Sequence, residues 1–170
     1  MSRIRRDRVV EIVTAASDPV TGTELANLLG VSRQVVVQDV AILRAEGSSI
    51  LSTPRGYFVP RFDSRSSASR EIIAVRHDRD QIEIELTTLI DLGIRVIDVA
   101  VEHPVYGELR GLLMISSRSD IRAFLERLEG SEPLLALTRG VHLHTIEAGT
   151  AQTLQTGRSA LRELGILLEQ

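Results

Sequence analysis

The run from Asp7 to Glu46 constrains the fold more than any other stretch, because three helical segments with separate start and stop signals follow one another within it. Val9, Ile12, Val13 and Ala16 recur at helical spacing, and Asp18-Pro19 ends the pattern. Thr21 and Glu24 have the spacing of a capping box at the head of the short apolar segment Leu25 to Leu29, which Gly30 closes. Val31 bridges to Ser32, an N-cap for a third helix reaching to about Glu46. Helix, helix, short turn, helix is the order of a helix-turn-helix.

The third helix separates into two faces. With Val36 at zero and about 100° per residue, Val40 and Leu43 fall within about 40° and form an inward stripe. Arg33, Gln34, Val37, Gln38, Ala41 and Arg44 spread over the arc from about 60° to 200°, a face without an acid. Together with Ser32 at the cap, these residues fit a helix laid in a DNA major groove: Gln34 and Gln38 can pair with adenine, and Val37 can meet a thymine methyl. Ile50 to Thr53 and Tyr57 to Val59 flank Pro54-Arg55-Gly56 as a hairpin with one arginine at its tip. Such a wing lays Arg55 on a phosphate or in a minor groove.

All 20 basic residues are arginine, and their distribution separates two regions. Residues 1 to 70 carry 10 arginines against 7 acids, a balance of +3; residues 71 to 170 carry 10 against 16, a balance of -6. A polyanion-facing front and an acidic body follow from this. The serine-rich stretch Pro60 to Arg70 divides them, so the expected domains are 1–60, a winged helix-turn-helix, and 71–170, a ligand-binding domain, with 61–70 as linker. No apolar run approaches membrane length and no leader pattern follows the basic N-terminus, so the expected location is the cytoplasm.

The second region reads strand (Glu71 to His77), helix (Asp78 to Leu92), strand (Arg95 to Glu102), strand (Leu109 to Ile115), helix (Ser119 to Gly130), strand (Val141 to Glu147), helix (Ala151 to Leu164). This is a split βαβ pattern, and the expected fold class is α+β: the winged helix-turn-helix followed by a small α/β sandwich.

Chemistry concentrates in this region. His142 and His144 alternate in a β-branched context and share one face of their strand. On the helix from Asp78, with Ile82 at zero, Glu85 falls at about 300°, inside the arc of Leu86, Leu89 and Leu92. A carboxylate buried there requires a cation, a metal or strong donors. His77 ends the strand leading into that helix. The chain has no cysteine, so a metal would rest on His, Asp and Glu. Three imidazoles and one carboxylate suit nickel, zinc, iron or cobalt rather than calcium or magnesium. His103-Pro104-Val105-Tyr106-Gly107-Glu108 is a strand-ending turn with a His, a Tyr and a Glu, while Arg118 and Arg139 are candidate partners for a ligand carboxylate.

These segments resemble a known family. Ser32 to Gly47 is similar to the recognition helix of the winged-helix repressors that respond to niacin. Arg76-His77, Ile82-Glu83-Ile84-Glu85-Leu86, His103 to Glu108 and Leu137 to Ile146 resemble their three-histidine domain. The resemblance implies a homodimeric repressor of NAD biosynthesis or niacin uptake genes, acting on a double-stranded DNA operator. It further implies nicotinic acid as co-repressor and a divalent metal whose ligands fall on His77, Glu85, His142 and His144. Nicotinic acid is expected near the metal, with His103, Tyr106, Arg118 and Arg139 as its candidate contacts. Where the family pattern has a second glycine after Gly93 this chain has Ile94, a departure expected to touch only a turn. Two other readings stay open: a regulator for which metal itself is the signal, and a hydrolase in which the three histidines and glutamate activate water. Against the hydrolase, no separate base is evident and a DNA reader occupies the front of the chain.

Overall fold

The computed structural model describes residues 2–60 and 68–169 and divides the chain into two compact units, residues 1–64 and 65–170. The first unit holds α1 (Ser2–Ala15), α2 (Gly22–Leu29), α3 (Arg33–Ala45), β1 (Leu51–Thr53) and β2 (Gly56–Phe58). The capping box forms: Thr21 Oγ1 accepts the Glu24 N–H at 3.1 Å, and the Glu24 carboxylate accepts the Thr21 N–H at 2.8 Å. Ser32 caps α3 by accepting the Val35 N–H at 3.3 Å. Val9, Val13, Leu25, Val36, Val40, Leu43 and Ile50 make the core. The first helix starts ahead of its apolar repeat, at Ser2, and its added turn carries Arg5 into a two-pronged pair with the buried Asp39 of α3, at 2.5 and 3.0 Å. At the hairpin, Gly56 lies at φ 131° against the backbone of Val20, where a Cβ would collide with the Val20 carbonyl. That close approach lets Tyr57 exchange main-chain hydrogen bonds with Val20 at 2.8 Å, fastening the wing to the segment before α2.

The second unit runs β3 (Ser69–Arg76), a 3-10 turn (Arg79–Gln81), α4 (Ile82–Asp91), β4 (Arg95–His103), β5 (Gly107–Ile115), α5 (Arg118–Leu128), a second 3-10 turn (Leu134–Thr138), β6 (Val141–Ala148) and α6 (Ala151–Glu163). Residues 61–67 of the expected linker lie outside the described residues, whereas Ser69 and Arg70 are strand rather than linker. Cross-strand pairing explains this: Arg70 stands opposite Glu147 and donates to its carboxylate at 2.5 Å.

The sheet order is β3-β6-β4-β5 with every neighbouring pair antiparallel. β3 and β4 are therefore parallel, joined through α4 and separated by β6, which is the split βαβ arrangement. Ile73, Val75, Val96, Leu113, Ile115 and Ile146 from the strands pack with Leu86, Leu89, Ile121, Leu154 and Leu161 from the helices in one core. The outer edge of β3 is covered by the segment after α6: Arg76 donates to the Ile166 carbonyl and Leu168 to the Ala74 carbonyl, both at 2.8 Å.

Ile94 is more than a turn residue. It is 1% exposed and belongs to this core, where its Cδ1 occupies the space that a side chain at position 157 of α6 would need. Gly157 and Ile94 fit each other as a hole and a knob.

Candidate metal centre and nucleic-acid interface

The topology brings four dispersed residues to one point. His77 follows β3, Glu85 lies on the first turn of α4, and His142 and His144 lie on β6 beside β3, opposite Val75 and Ile73. Their side chains are 0–4% exposed. His77 Nε2 lies 2.6 Å from Glu85 Oε2, His144 Nε2 3.4 Å from it and His142 Nε2 3.7 Å. The His77 and His142 rings meet edge-on at 4.7 Å between centroids, and those of His142 and His144 at 4.9 Å.

The remaining ring nitrogens fix the chemistry of this arrangement. His77 Nδ1 is 2.8 Å from the Asp78 carbonyl, His142 Nδ1 2.8 Å from the Gly140 carbonyl, and His144 Nδ1 2.6 Å from the Asp98 carbonyl. A carbonyl only accepts, so each Nδ1 carries a hydrogen, and Nε2, which faces Glu85, is the position that presents a lone pair when a ring is neutral. Three lone pairs aimed at a carboxylate repel unless a cation lies among them. Among the described residues, Glu85 Oε1 is the buried side-chain atom left without a hydrogen-bond partner.

Protons meet part of this need. Burial alone would push the Glu85 carboxyl up and the His77 and His144 imidazoles down. Mutual attraction and hydrogen bonding outweigh it, leaving Glu85 well below the usual carboxylate range and both imidazoles above the usual histidine range. The donor set fits a divalent transition metal equally well. One ligand atom from each of His77, Glu85 and His142 lies within 4.8 Å of the others, His144 borders them, and each imidazole has the carbonyl anchor typical of metal-binding histidine.

The four candidate ligand contacts do not gather with this cluster as one set. His103 and Tyr106 stack at 4.9 Å between ring centroids on the β4–β5 turn, where Tyr106 is 73% exposed. His103 Nδ1 accepts the Val105 and Tyr106 N–H groups at 3.2 and 3.3 Å, so the ring shapes the turn. Arg118 donates through two nitrogens to Asp91 at the end of α4, at 2.8 and 2.5 Å. Arg139 is exposed in the left-handed conformation, φ 53°, immediately before Gly140.

In the first unit the N-cap Ser32 and Arg33, Gln34, Gln38 and Arg44 of α3 are exposed, and Val37 is half-buried. Arg44 Nε donates to the Ile50 carbonyl at 2.8 Å, so it also ties the end of α3 to the wing. Arg55 lies in the turn between β1 and β2, with Nη2 3.4 Å from Asp18.

Residues 5–58 match the family described as HTH domain, and residues 70–170 match the 3H domain. The chain is 43% identical over 175 residues to "Probable transcription repressor NiaR" of Thermotoga maritima, covering 100% of this chain and 98% of that protein. It is 36% identical over 172 residues to "Transcription repressor NadR" of Bacillus subtilis, covering 99% and 96%. The chain belongs to the HTH–3H transcription repressors. Both relatives are named as repressors and neither as an enzyme. Among the described residues of this HTH–3H repressor, no helix is long and apolar enough to cross a membrane.

Some residues that organise the repressor's sites escaped the sequence reading. Asp39 is buried, and at about 300° on the α3 wheel it lies beside the inward stripe and off the outward arc of about 60° to 200°. Asp98 interrupts the apolar run Val96 to Val101. An acid within such a run is the available signal for a buried, partnered carboxylate. The carbonyls of Asp78 and Gly140 carry no side-chain signature.

Proposed function

We propose that this HTH–3H repressor silences NAD biosynthesis or niacin uptake genes as a cytoplasmic homodimer, with nicotinic acid as co-repressor and a divalent metal, nickel or zinc first, held by His77, Glu85, His142 and His144. The observation that carries the metal reading is the convergence of three carbonyl-anchored imidazoles on one buried carboxylate with an unpartnered oxygen. The niacin reading rests on the resemblance of the motifs and agrees with the repressor names of the relatives. The working division is residues 1–60 for DNA and, from the start of β3 at Ser69, residues 69–170 for metal and effector.

A metal bound here supplies a fixed positive charge and a Lewis-acidic contact for a carboxylate. His77, His142 and His144 hold their lone pairs in place, and Glu85 neutralises charge that burial would otherwise make costly. His103, Tyr106, Arg118 and Arg139 are the candidate contacts for the remainder of nicotinic acid. Ser32, Arg33, Gln34, Val37, Gln38 and Arg44 of α3 face the major groove, and Arg55 of the wing meets the backbone or minor groove.

The effector shifts the repressor toward its DNA-binding state only by its difference in affinity for the two states. Calorimetric titration of nickel- or zinc-loaded protein with nicotinic acid, with and without a duplex selected from random oligonucleotides, tests this. Tighter nicotinic acid binding in the presence of the duplex is expected; equal affinity in both sinks the co-repressor model. The near-complete burial of the four proposed ligands favours a second reading, in which metal occupancy itself is the signal. DNA affinity that follows metal and ignores nicotinic acid would select it.

A further inference from the structure

β4 changes register against both neighbours within a few residues. Against β6, Val96 pairs with Ile146 and Ala100 with Leu143, so β4 spends one residue more than β6. Against β5, Val96 pairs with Ile115 and Asp98 with Leu112, so β5 spends one more than β4. The irregularity on β5 coincides with Met114 in the left-handed conformation, φ 51°. Asp98 sits in the middle of the interval on β4, 5% exposed.

There it performs a substitution within the ladder. Asp98 Oδ1 accepts the main-chain N–H of Thr145 on β6 at 2.9 Å. Its main-chain carbonyl accepts the Nδ1–H of His144 at 2.6 Å. The carboxylate thus takes a strand N–H in the role a carbonyl fills in a regular antiparallel pair, and the carbonyl serves the imidazole instead. Arg110 on β5 balances the charge, donating to Asp98 Oδ2 at 2.5 Å and reaching Thr145 Oγ1 at 3.4 Å. Without a bulge, the carbonyl would remain committed to the ladder. Without the side-chain carboxylate as acceptor, the N–H of Thr145 would compete with His144 for that same carbonyl.

We propose that Asp98 is the positioning residue for His144: its carboxylate stands in for a main-chain carbonyl at the β4 bulge, freeing that carbonyl to hold the imidazole with Nε2 turned to the cluster. This rests on the metal reading only where it concerns metal affinity; the orientation of His144 is a property of the metal-free chain as well. The His144 Nδ1–carbonyl bond links the two levels, since loss of an anchoring partner of a metal-bound histidine changes metal affinity by about 10–100-fold.

The test uses the full chain, stripped of metal by chelation and held at alkaline pH. Scalar couplings across hydrogen bonds identify the acceptor of the Thr145 N–H in the unmutated protein. Coupling to the side-chain carboxyl carbon of Asp98 is expected, and coupling to its main-chain carbonyl carbon overturns the proposal. Proton–nitrogen correlation spectra of the imidazoles then compare Asp98→Ala and Asp98→Asn. The alanine variant is expected to lose the fixed Nδ1–H form of His144, while the asparagine variant, which retains an oxygen for Thr145, keeps it. On titration with Co²⁺, the alanine variant is expected to bind about 10–100-fold more weakly, with a visible absorption spectrum moved toward that of His144→Ala. An alanine variant whose His144 tautomer and Co²⁺ spectrum match the unmutated protein overturns the proposal. Failure of the alanine variant to fold leaves the decision to the coupling measurement, which requires no mutation. If the unmutated chain takes up no Co²⁺, the metal reading fails by itself, and the coupling and tautomer measurements still decide the role of Asp98.

Discussion

Glu85 Oε2 lies 2.6 Å from His77 Nε2, and both side chains are almost wholly removed from solvent. Removing one member of such a pair exposes the other to the full cost of burial. Glu85→Gln should destabilise the metal-free protein by about 3 kcal/mol where the imidazoles hold a proton. Urea unfolding measures this, and calorimetry with nickel or zinc should show weakened binding in the same variant. Unchanged values in both experiments would remove Glu85 from the centre.

The metal-free protein should lose stability toward alkaline pH. His77 and His144 have folded values above the usual range, so their contribution is fully present below about 6.5 and drains as pH rises through those raised values. Glu85 is shifted the other way, so its contribution is present above the ordinary carboxylate range and is lost only as pH falls through its lowered value. Thermal melts of chelated protein should therefore decline from mildly acidic to alkaline pH. With nickel or zinc present the slope should reverse, because metal replaces protons on deprotonated ligands. Identical slopes with and without metal would contradict this.

Gly140 should resist substitution. It lies at φ 91°, and a Cβ there would stand 2.5 Å from the His77 carbonyl oxygen. Its own carbonyl accepts both the His77 main-chain N–H at 3.3 Å and the His142 Nδ1–H at 2.8 Å. Gly140→Ala is expected to cost about 2 kcal/mol or more in urea unfolding and to weaken metal binding as well. An alanine variant as stable as the parent would mean that this backbone yields easily.

On the proposed docking, the face of α3 and the wing separate reading from holding. Gln34→Ala and Gln38→Ala should relax preference at A·T positions in a selection from random duplexes. Arg33→Ala or Arg55→Ala should weaken all duplexes alike and lower the slope of log affinity against log salt by about one. Uniform weakening by the glutamine variants would assign them to the backbone instead.

Local chemistry was the part legible in the sequence. The Thr21–Glu24 box and the Ser32 cap act within three residues, so spacing alone reveals them. Glu85 could be placed because a helix converts sequence position into angle, and the alternation of His142 and His144 needed only a strand. What escaped was held by long-range main-chain atoms. The carbonyl of Asp98 meets His144 across 46 positions, and no side chain advertises a carbonyl. The pairing of the segment around Leu167 with β3 was hidden for the same reason. The second 3-10 turn, Leu134–Thr138, lacks the length from which a periodic pattern is read. Ile94 reads as a turn residue in the sequence because its partner in the core, Gly157, lies far along the chain.

β6 lies between β3 and β4, yet it is made after both. During synthesis at about 5–20 residues per second, the earlier strands must wait without the neighbour that separates them. The hairpin of β4 and β5 can pair early, but neither side of the histidine cluster can close until Val141 to Ala148 has left the ribosome and entered the middle of the sheet. Metal captured before that moment would meet His77 and Glu85 alone. The order of the strands therefore makes the complete four-residue cluster a late product of folding, assembled only in a chain whose second unit is nearly finished.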